Sequence, residues 1–472
     1  MAETKKPNII WIMADDLSWG DLGCYGQELI ATPNIDRLAA EGVRFTSCYS
    51  GSTVCAPSRS CLMQGLHSGH TSVRENFVQF EPGLFYRPSL TSEDVTVAQV
   101  LSNAGYATGL FGKWGLSLQD QPGAPNDKGF DEFLGYLNQR HAHSYYPPFL
   151  WHNRERIDLP ENTGYKHLQP SEYDENGRII PNGVADPKAA RHAFELYAER
   201  SLDFVRAHHN EPFFLYLAYT MPHGVQAIPE LGEYKDRPWP LKHKIHAAMV
   251  SRMDSAVGEL MSLLQELEID DNTLVFFVSD NGYSLVNAAK NPTFDEVFDH
   301  SGPWNGGKGR LNQGGVRVPA IARWPGRIPA GVVSEQVWAF WDFLPTAAEV
   351  AGAEIPSKCD GVSILPALLG ESQRQHEYLY WEFNAGQAAR IGRWWVHREH
   401  PDKPVQVFDA DNDPQETRDL AAEMPDIVRQ AETIFREAHI PNPQNPSPGE
   451  PLEQWLARSK RAGVVLEENV DR

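Results

Sequence analysis

At 472 residues, with 41% hydrophobic and 22% charged residues, the chain can bury a large core and has the composition of a soluble globular protein. Its formal net charge of −21 argues against a nucleic-acid partner, and any anionic substrate must be drawn in by local cations. The five cysteines (24, 48, 55, 61 and 359) are odd in number, unevenly spaced and lack a C-x-x-C, which argues against a disulfide framework or a zinc site.

No apolar run approaches the length of a membrane span. Met1 to Lys6 is short and polar and leads straight into a strand, so no signal peptide is predicted. The expected location is the cytoplasm, or the periplasm or exterior if an export signal has been removed. Pro7 to Ala14 is a continuous apolar run and predicts a buried strand. It ends in Asp15-Asp16, two hard carboxylates suited to Ca²⁺ or Mg²⁺. Neighbouring strand residues face opposite ways, so both reach one point only if the chain turns, as Ser18, Gly20 and Gly23 allow. Pro33 to Gly42 predicts a helix capped by Thr32.

Cys55-Ala56-Pro57-Ser58-Arg59 follows. Pro57 suits a first helical turn, Arg59 would then project over Cys55, and the helix N-terminus would aim N–H groups at the same point. Asp94 to Ala104 predicts a helix and Ala107 to Gly112 a strand, ending in Gly112-Lys113-Trp114-Gly115-Leu116. The segment Asn138 to Pro148 is dense in groups that recognise anions or sugars, and His141 and His143 would share a face if it is extended. Residues 150–186 lack periodicity and predict a long loop, a lid or pocket wall.

Pro187 to His208 predicts a helix, and Pro212 to Ala218 a buried strand leading to His223, a candidate general acid or base. After a helix over Lys242 to Leu267, the strand Thr273 to Ser279 ends in Asp280-Asn281-Gly282. The glycine-rich stretch Gly306 to Pro319 holds Lys308, and Asp299-His300-Ser301 before it offers a further substrate contact. A strand over Val318 to Trp324 and a helix over Asp342 to Ala351 follow, and near 370 the texture changes to short strands, a helix over Met424 to His439 and a Pro-rich, loosely held tail. Two units are expected: 1–370, holding the site, and 371–472, a small antiparallel sheet with a helix and tail. Buried strands ending in polar clusters and alternating with helices predict an α/β fold, with a mixed, mostly parallel sheet flanked by helices.

Cys55 to Arg59, with Leu62 and Gly65 after it, resembles the C-x-P-S-R signature of the type I sulfatases of the alkaline phosphatase superfamily. Asp15-Asp16, Gly112-Lys113-Trp114, Pro222-His223, Asp280-Asn281-Gly282 and the Lys308 loop occur in that family's order. The resemblance implies an alkaline-phosphatase-like fold with a small C-terminal α+β subdomain, and hydrolysis of a sulfate ester. It implies that a maturation enzyme oxidises Cys55 to formylglycine, whose hydrate is the nucleophile. Asp15, Asp16, Asp280, Asn281 and residue 55 would hold Ca²⁺, with Mg²⁺ as the alternative. Arg59, Lys113 and Lys308 would bind sulfate, and His223 would assist the leaving oxygen. Two departures stand out: Gln64 replaces a Thr or Ser, and Gly115 replaces a histidine that contacts the nucleophile. His141 or His143 is expected to fill the space beside Gly115. Tyr136, Tyr145, Tyr146 and Trp151 suit stacking on a sugar, which favours a sulfated carbohydrate. The rivals are a phosphodiester or phosphonate monoester hydrolase on the same fold, and a binding protein without activity.

Overall fold

The computed structural model describes residues 5–81, 84–284, 297–298 and 302–461. Strand β1 (Asn8–Ala14) shows why its sequence is apolar without alternation. Ile10 and Ile12 enter the core on one face of the central sheet, while Ile9, Trp11 and Met13 enter the core on the other. Nine further strands complete this sheet: β2 (Val43–Phe45), β3 (Ala107–Lys113), β4 (Glu132–Tyr136), β5 (Phe149–His152), β6 (Glu155–Asp158), β7 (Phe213–Ala218), β8 (Thr273–Ser279), β9 (Ala320–Arg323) and β10 (Val332–Ser334). Their spatial order is β10-β2-β9-β8-β1-β7-β3-β4-β5-β6. The middle five, β8-β1-β7-β3-β4, are parallel, so their carboxyl ends share one rim. β9 and β5 run antiparallel to this block at its two margins.

One face is covered by α1 (Pro33–Ala40), α4 (Ala193–His208) and α5 (Leu241–Glu266), the other by α2 (Cys55–Gln64), α3 (Val97–Asn103) and α6 (Phe343–Ala351). Thr32 does stand at the cap position of α1, but its hydroxyl oxygen accepts from Gly23 N instead of from the helix. The donors of the first turn go to Asp254 of α5, whose Oδ1 accepts from Asn34 N at 3.0 Å and Ile35 N at 2.8 Å. Burial pushes the Asp254 carboxyl up to about 6. The folded protein therefore holds this proton more tightly than the unfolded chain, and stability from this group falls as pH rises from 4 through 6. Asp254→Asn keeps an acceptor without the charge. Its stability relative to the parent should rise over that interval in urea unfolding at fixed ionic strength, and parallel pH profiles would refute the assignment.

A second sheet holds β11 (Leu379–Phe383), β12 (Gly386–Ile391), β13 (Trp394–Arg398) and β14 (Gln406–Asp409), all antiparallel, with α7 (Pro425–Glu437) against one face. It is tied to the loops beside α2: Trp381 Nε1 donates to Ser50 O at 2.9 Å, and Glu416 Oε1 accepts from Gln313 N at 2.8 Å. No helix among the described residues is long and apolar enough to cross a membrane.

Two expectations are corrected. Residues 150–186 are not one long loop: β5 and β6 form a hairpin on the sheet edge, and Glu172–Tyr173 pairs with Ile179–Ile180. β6 is exposed along its length, so it carries no buried alternation to read. Nor are the described residues of the tail, 441–461, loosely held. Asn445 is buried and bonds Arg74 N and Ser72 O, and Trp455 of α8 (Leu452–Arg461) is buried against Tyr86. Single polar anchors seat it, and these leave no period in a sequence.

Candidate functional site

The rim of the parallel block collects the charged groups. Asp15 and Asp16 follow β1, Asp280 and Asn281 follow β8, Lys113 closes β3, and His223 lies on the loop after β7. Asp16 has φ of 64°, a left-handed turn that an aspartate tolerates at some strain. This turn brings both neighbouring carboxylates to the site, so the bend lies at Asp16 itself, ahead of the glycines expected to supply it. Helix α2 points its N-terminus at the same place and ends at Gly65, whose φ is 66°. Pro57 lies in its first turn, where a missing N–H costs nothing.

Cys55 and Arg59 are wholly buried. Cys55 Sγ lies 3.5 Å from Asp15 Oδ1 and accepts from Lys308 Nζ at 3.3 Å. Lys308 also donates to Asp16 Oδ1 at 2.6 Å, and Lys113 to Asp15 Oδ2 at 2.6 Å. Arg59 donates to Asp280 Oδ2 at 2.9 Å and to Lys113 O at 3.0 Å. Three carboxylates thus face three cations. Burial alone would raise Asp15, but the charges of Lys113, Arg59 and Lys308 outweigh it and hold the carboxyl well below its usual range. Burial and the Asp15 charge push Asp280 up. Burial, with Asp15 and Asp280 alongside, pushes the Cys55 thiol up to about 12, so as a plain cysteine it stays protonated at neutral pH. Burial and Lys308 hold His223 down, in its neutral form.

These groups fit a hard divalent cation. Asn281 Nδ2 donates to Asp16 Oδ1 at 2.8 Å, while its carbonyl oxygen is buried without a partner. Ligand atoms of Asp15, Asp16, Cys55 and His223 lie within 4.8 Å of one another, and Asp280 joins through Asp16 N at 3.2 Å. Oxygen donors of this kind suit Ca²⁺ or Mg²⁺. A second cluster, His67, His70 and Asp360, does not fit a metal. His67 Nδ1 accepts from Gly69 N at 3.2 Å, so the neutral ring carries its proton on Nε2, facing Asp360 at 3.7 Å.

The two histidines of the 138–148 segment part company. His143 stacks on His223 with ring centroids 4.2 Å apart, beside the site. His141 packs against Tyr136 and Phe149. Neither is what abuts Gly115: a Cβ there would overlap Gln139 Oε1, and Gly115 itself has φ of 74°. Both amide atoms of Gln139 are buried without partners. Gln139 was not among the site residues expected from the sequence, although the missing histidine signalled that something else must fill the space. The other departure, Gln64, meets Ser60 Oγ at 2.7 Å and Thr71 Oγ1 at 2.8 Å in a structural network. Tyr136, Tyr145 and Tyr146 are buried core residues, unavailable as sugar platforms, and Trp151 is half-buried. His300 lies outside the described residues.

Residues 7–353 match the family described as Sulfatase, and residues 308–438 match N-sulphoglucosamine sulphohydrolase, C-terminal. N-acetylgalactosamine-6-sulfatase of Canis lupus familiaris is 33% identical over 408 residues, 83% of this chain and 72% of that protein. N-acetylgalactosamine-6-O-sulfatase of Bacteroides thetaiotaomicron is 29% identical over 495 residues, 92% of this chain and 93% of that protein. Among solved structures, Ps i-CgsB in complex with k-i-k-neocarrahexaose superposes with a TM-score of 0.76 at 26% identity, covering 96% of this chain and 98% of that one. Phosphonate monoester hydrolase of Agrobacterium radiobacter, at 19% identity and a TM-score of 0.66 over 92% of this chain and 95% of that one, shares the fold.

Proposed function

The chain belongs to the sulfatase family, sulfuric ester hydrolases, and from this premise we propose that it removes sulfate from a carbohydrate with residue 55 converted to formylglycine. The observation that carries this reading is the setting of Cys55: wholly buried at the start of a helix, 3.3 Å from Lys308 Nζ and beside three carboxylates. The relatives named for sulfated amino sugars, and the structure solved with a neocarrahexaose, support a glycan as substrate.

Formylglycine at residue 55, formed by a maturation enzyme, supplies an oxygen nucleophile whose second hydroxyl lets sulfate be expelled afterwards. A divalent cation held by Asp15, Asp16, Asp280 and Asn281 supplies polarisation of a sulfate oxygen, Ca²⁺ being the favoured ion. The chain's own side chains do the rest. Lys113, Lys308 and Arg59 place positive charge where negative charge builds as the S–O bond breaks. Arg59 acts from beneath, anchoring Asp280. His223, steadied by the stacked His143, offers an N–H to the departing sugar oxygen.

Gln139 takes the place of the family histidine with a neutral amide. Its carbonyl can accept from the nucleophile's hydroxyl, and its N–H can donate to a sulfate oxygen. Gln139→Ala should lower kcat on a sulfated sugar by about 100-fold with an unchanged melting temperature, the scale of losing one transition-state contact. Unchanged kinetics would remove Gln139 from the site. Turnover of matched sulfate and phosphate esters tests the reaction class, and preference for phosphate would overturn the sulfatase reading.

A further inference from the structure

A groove of 670 Å³ opens beside the site, between the segment after α2 and the β11–β12 turn, with the seated tail as its far wall. Val54, the residue before the nucleophile position, lines its inner end. Asn76, also in its wall, accepts from Ala56 N at 2.9 Å through Oδ1, so the groove is joined to the first turn of α2. Opposite, Glu75 Oε1 accepts from Asn384 N at 2.9 Å.

The lining combines flat apolar faces with neutral hydrogen-bonding groups. Phe77 is 47% exposed and is braced edge-on by Phe85 at 5.4 Å, an upright ring on which a pyranose can lie. His400 meets Asp402 N at 3.1 Å through Nδ1, and its Nε2 lies at the side of Gly449 in the groove wall. Asn76 and Asn384 add amides.

Charge distinguishes this groove from the site beside it. The site gathers Arg59, Lys113 and Lys308, whereas the described lining of the groove includes no lysine or arginine. Its two acids are Glu75 and Glu450, and Glu450 is paired with Arg458 at 2.7 Å. Burial, with Glu382 nearby, pushes Glu75 up to about 8. Surroundings that resist one negative charge resist a second.

Resting on the glycan sulfatase reading, we propose that this groove binds the sugar next to the sulfated one, and that this neighbour must be uncharged, a plain or N-acetylated pyranose without sulfate or carboxylate. The enzyme would then act where sulfates are sparse along the chain, or where a different hydrolase has already cleared the adjoining residue.

The test uses two disaccharides with the same sulfated terminal sugar, one with an N-acetylated neighbour and one with a sulfated neighbour. The parent enzyme should show kcat/KM at least about tenfold lower on the second, since like-charge juxtaposition beside the acids of the groove, or a sulfate left there without a cation, disfavours binding. Phe77→Ala should raise KM for the first disaccharide by roughly three- to tenfold, the scale of one aromatic contact, and leave turnover of a small aryl sulfate unchanged. Equal kcat/KM on both disaccharides, or a Phe77→Ala variant indistinguishable from the parent, would overturn the proposal. No turnover of any sulfate ester would be the failure of the sulfatase reading. The groove is then judged by calorimetric binding of the unsulfated disaccharide, expected with the parent and lost in Phe77→Ala, and equal binding by the two would overturn it.

Discussion

Cys55→Ala should lower sulfate-ester turnover by on the order of 10⁵-fold while the protein still folds. Alanine is a good helix former, and it removes only the sulfur from the first position of α2. What disappears is the atom that every other group in the site surrounds. Lys308 Nζ reaches Cys55 Sγ at 3.3 Å, and Asp15 Oδ1 lies 3.5 Å away. The loss should fall in kcat, because Lys113, Lys308 and the metal ligands that hold the sulfate remain in place. The companion measurement is the mass of the peptide carrying residue 55, from protein made with a maturation enzyme. An aldehyde in place of the thiol is expected in the active protein. Full activity from protein whose Cys55 is an intact, alkylatable thiol would sink the mechanism.

Removal of divalent cations should abolish turnover and also lower the melting temperature, a readout that needs no substrate. Asp15, Asp16 and Asp280 crowd one point, and the carbonyl oxygen of Asn281 is buried there without a partner. A bound cation would complete that oxygen's coordination and would bind only the folded chain. At a hundred times its dissociation constant it would add about 2.7 kcal/mol of stability. Chelation followed by Ca²⁺ addition should therefore lower and then restore both activity and melting temperature. Asn281→Ala should blunt the Ca²⁺-induced shift. A protein whose melting temperature and activity ignore both chelation and Ca²⁺ would show that these oxygens hold no ion.

The parts of this site that were legible in the sequence are those fixed by strand ends. β1, β3, β7 and β8 are apolar runs, and in a parallel sheet the residue after each run has little choice of where to go. That places Asp15, Lys113 and Asp280 together without knowledge of a single side-chain contact, and the loop after β7 brings His223 to the same rim. What could not be read depends on local torsion or on long-range fit. The turn at Asp16 is a positive φ in a residue that usually avoids one, and no pattern announces it. The filling of the space beside Gly115 was expected of His141 or His143, but Gln139 lies against it, because a short 3-10 turn over His141–His143 leaves the segment too curled to present both rings alike. The seating of residues 441–461 leaves no sequence signal for a related reason. Asn445 and Trp455 dock on residues some 370 positions away, and such contacts have no period.

The complete burial of Cys55 sets a clock on its chemistry. β1 pairs with β7 and β8, which lie about 200 and 265 residues further along, so the rim that encloses residue 55 cannot close until those strands have been made. At ordinary synthesis rates that is a delay of roughly 10–45 s after residue 55 emerges. Under the proposed conversion of residue 55, a maturation enzyme would have to reach the thiol within this interval or from an unfolded chain, because the finished fold presents it no surface. Any change that hastens closure of the sheet would then yield a well-folded protein with less of its nucleophile formed, and the fraction active would report the outcome of a race and not the quality of the fold.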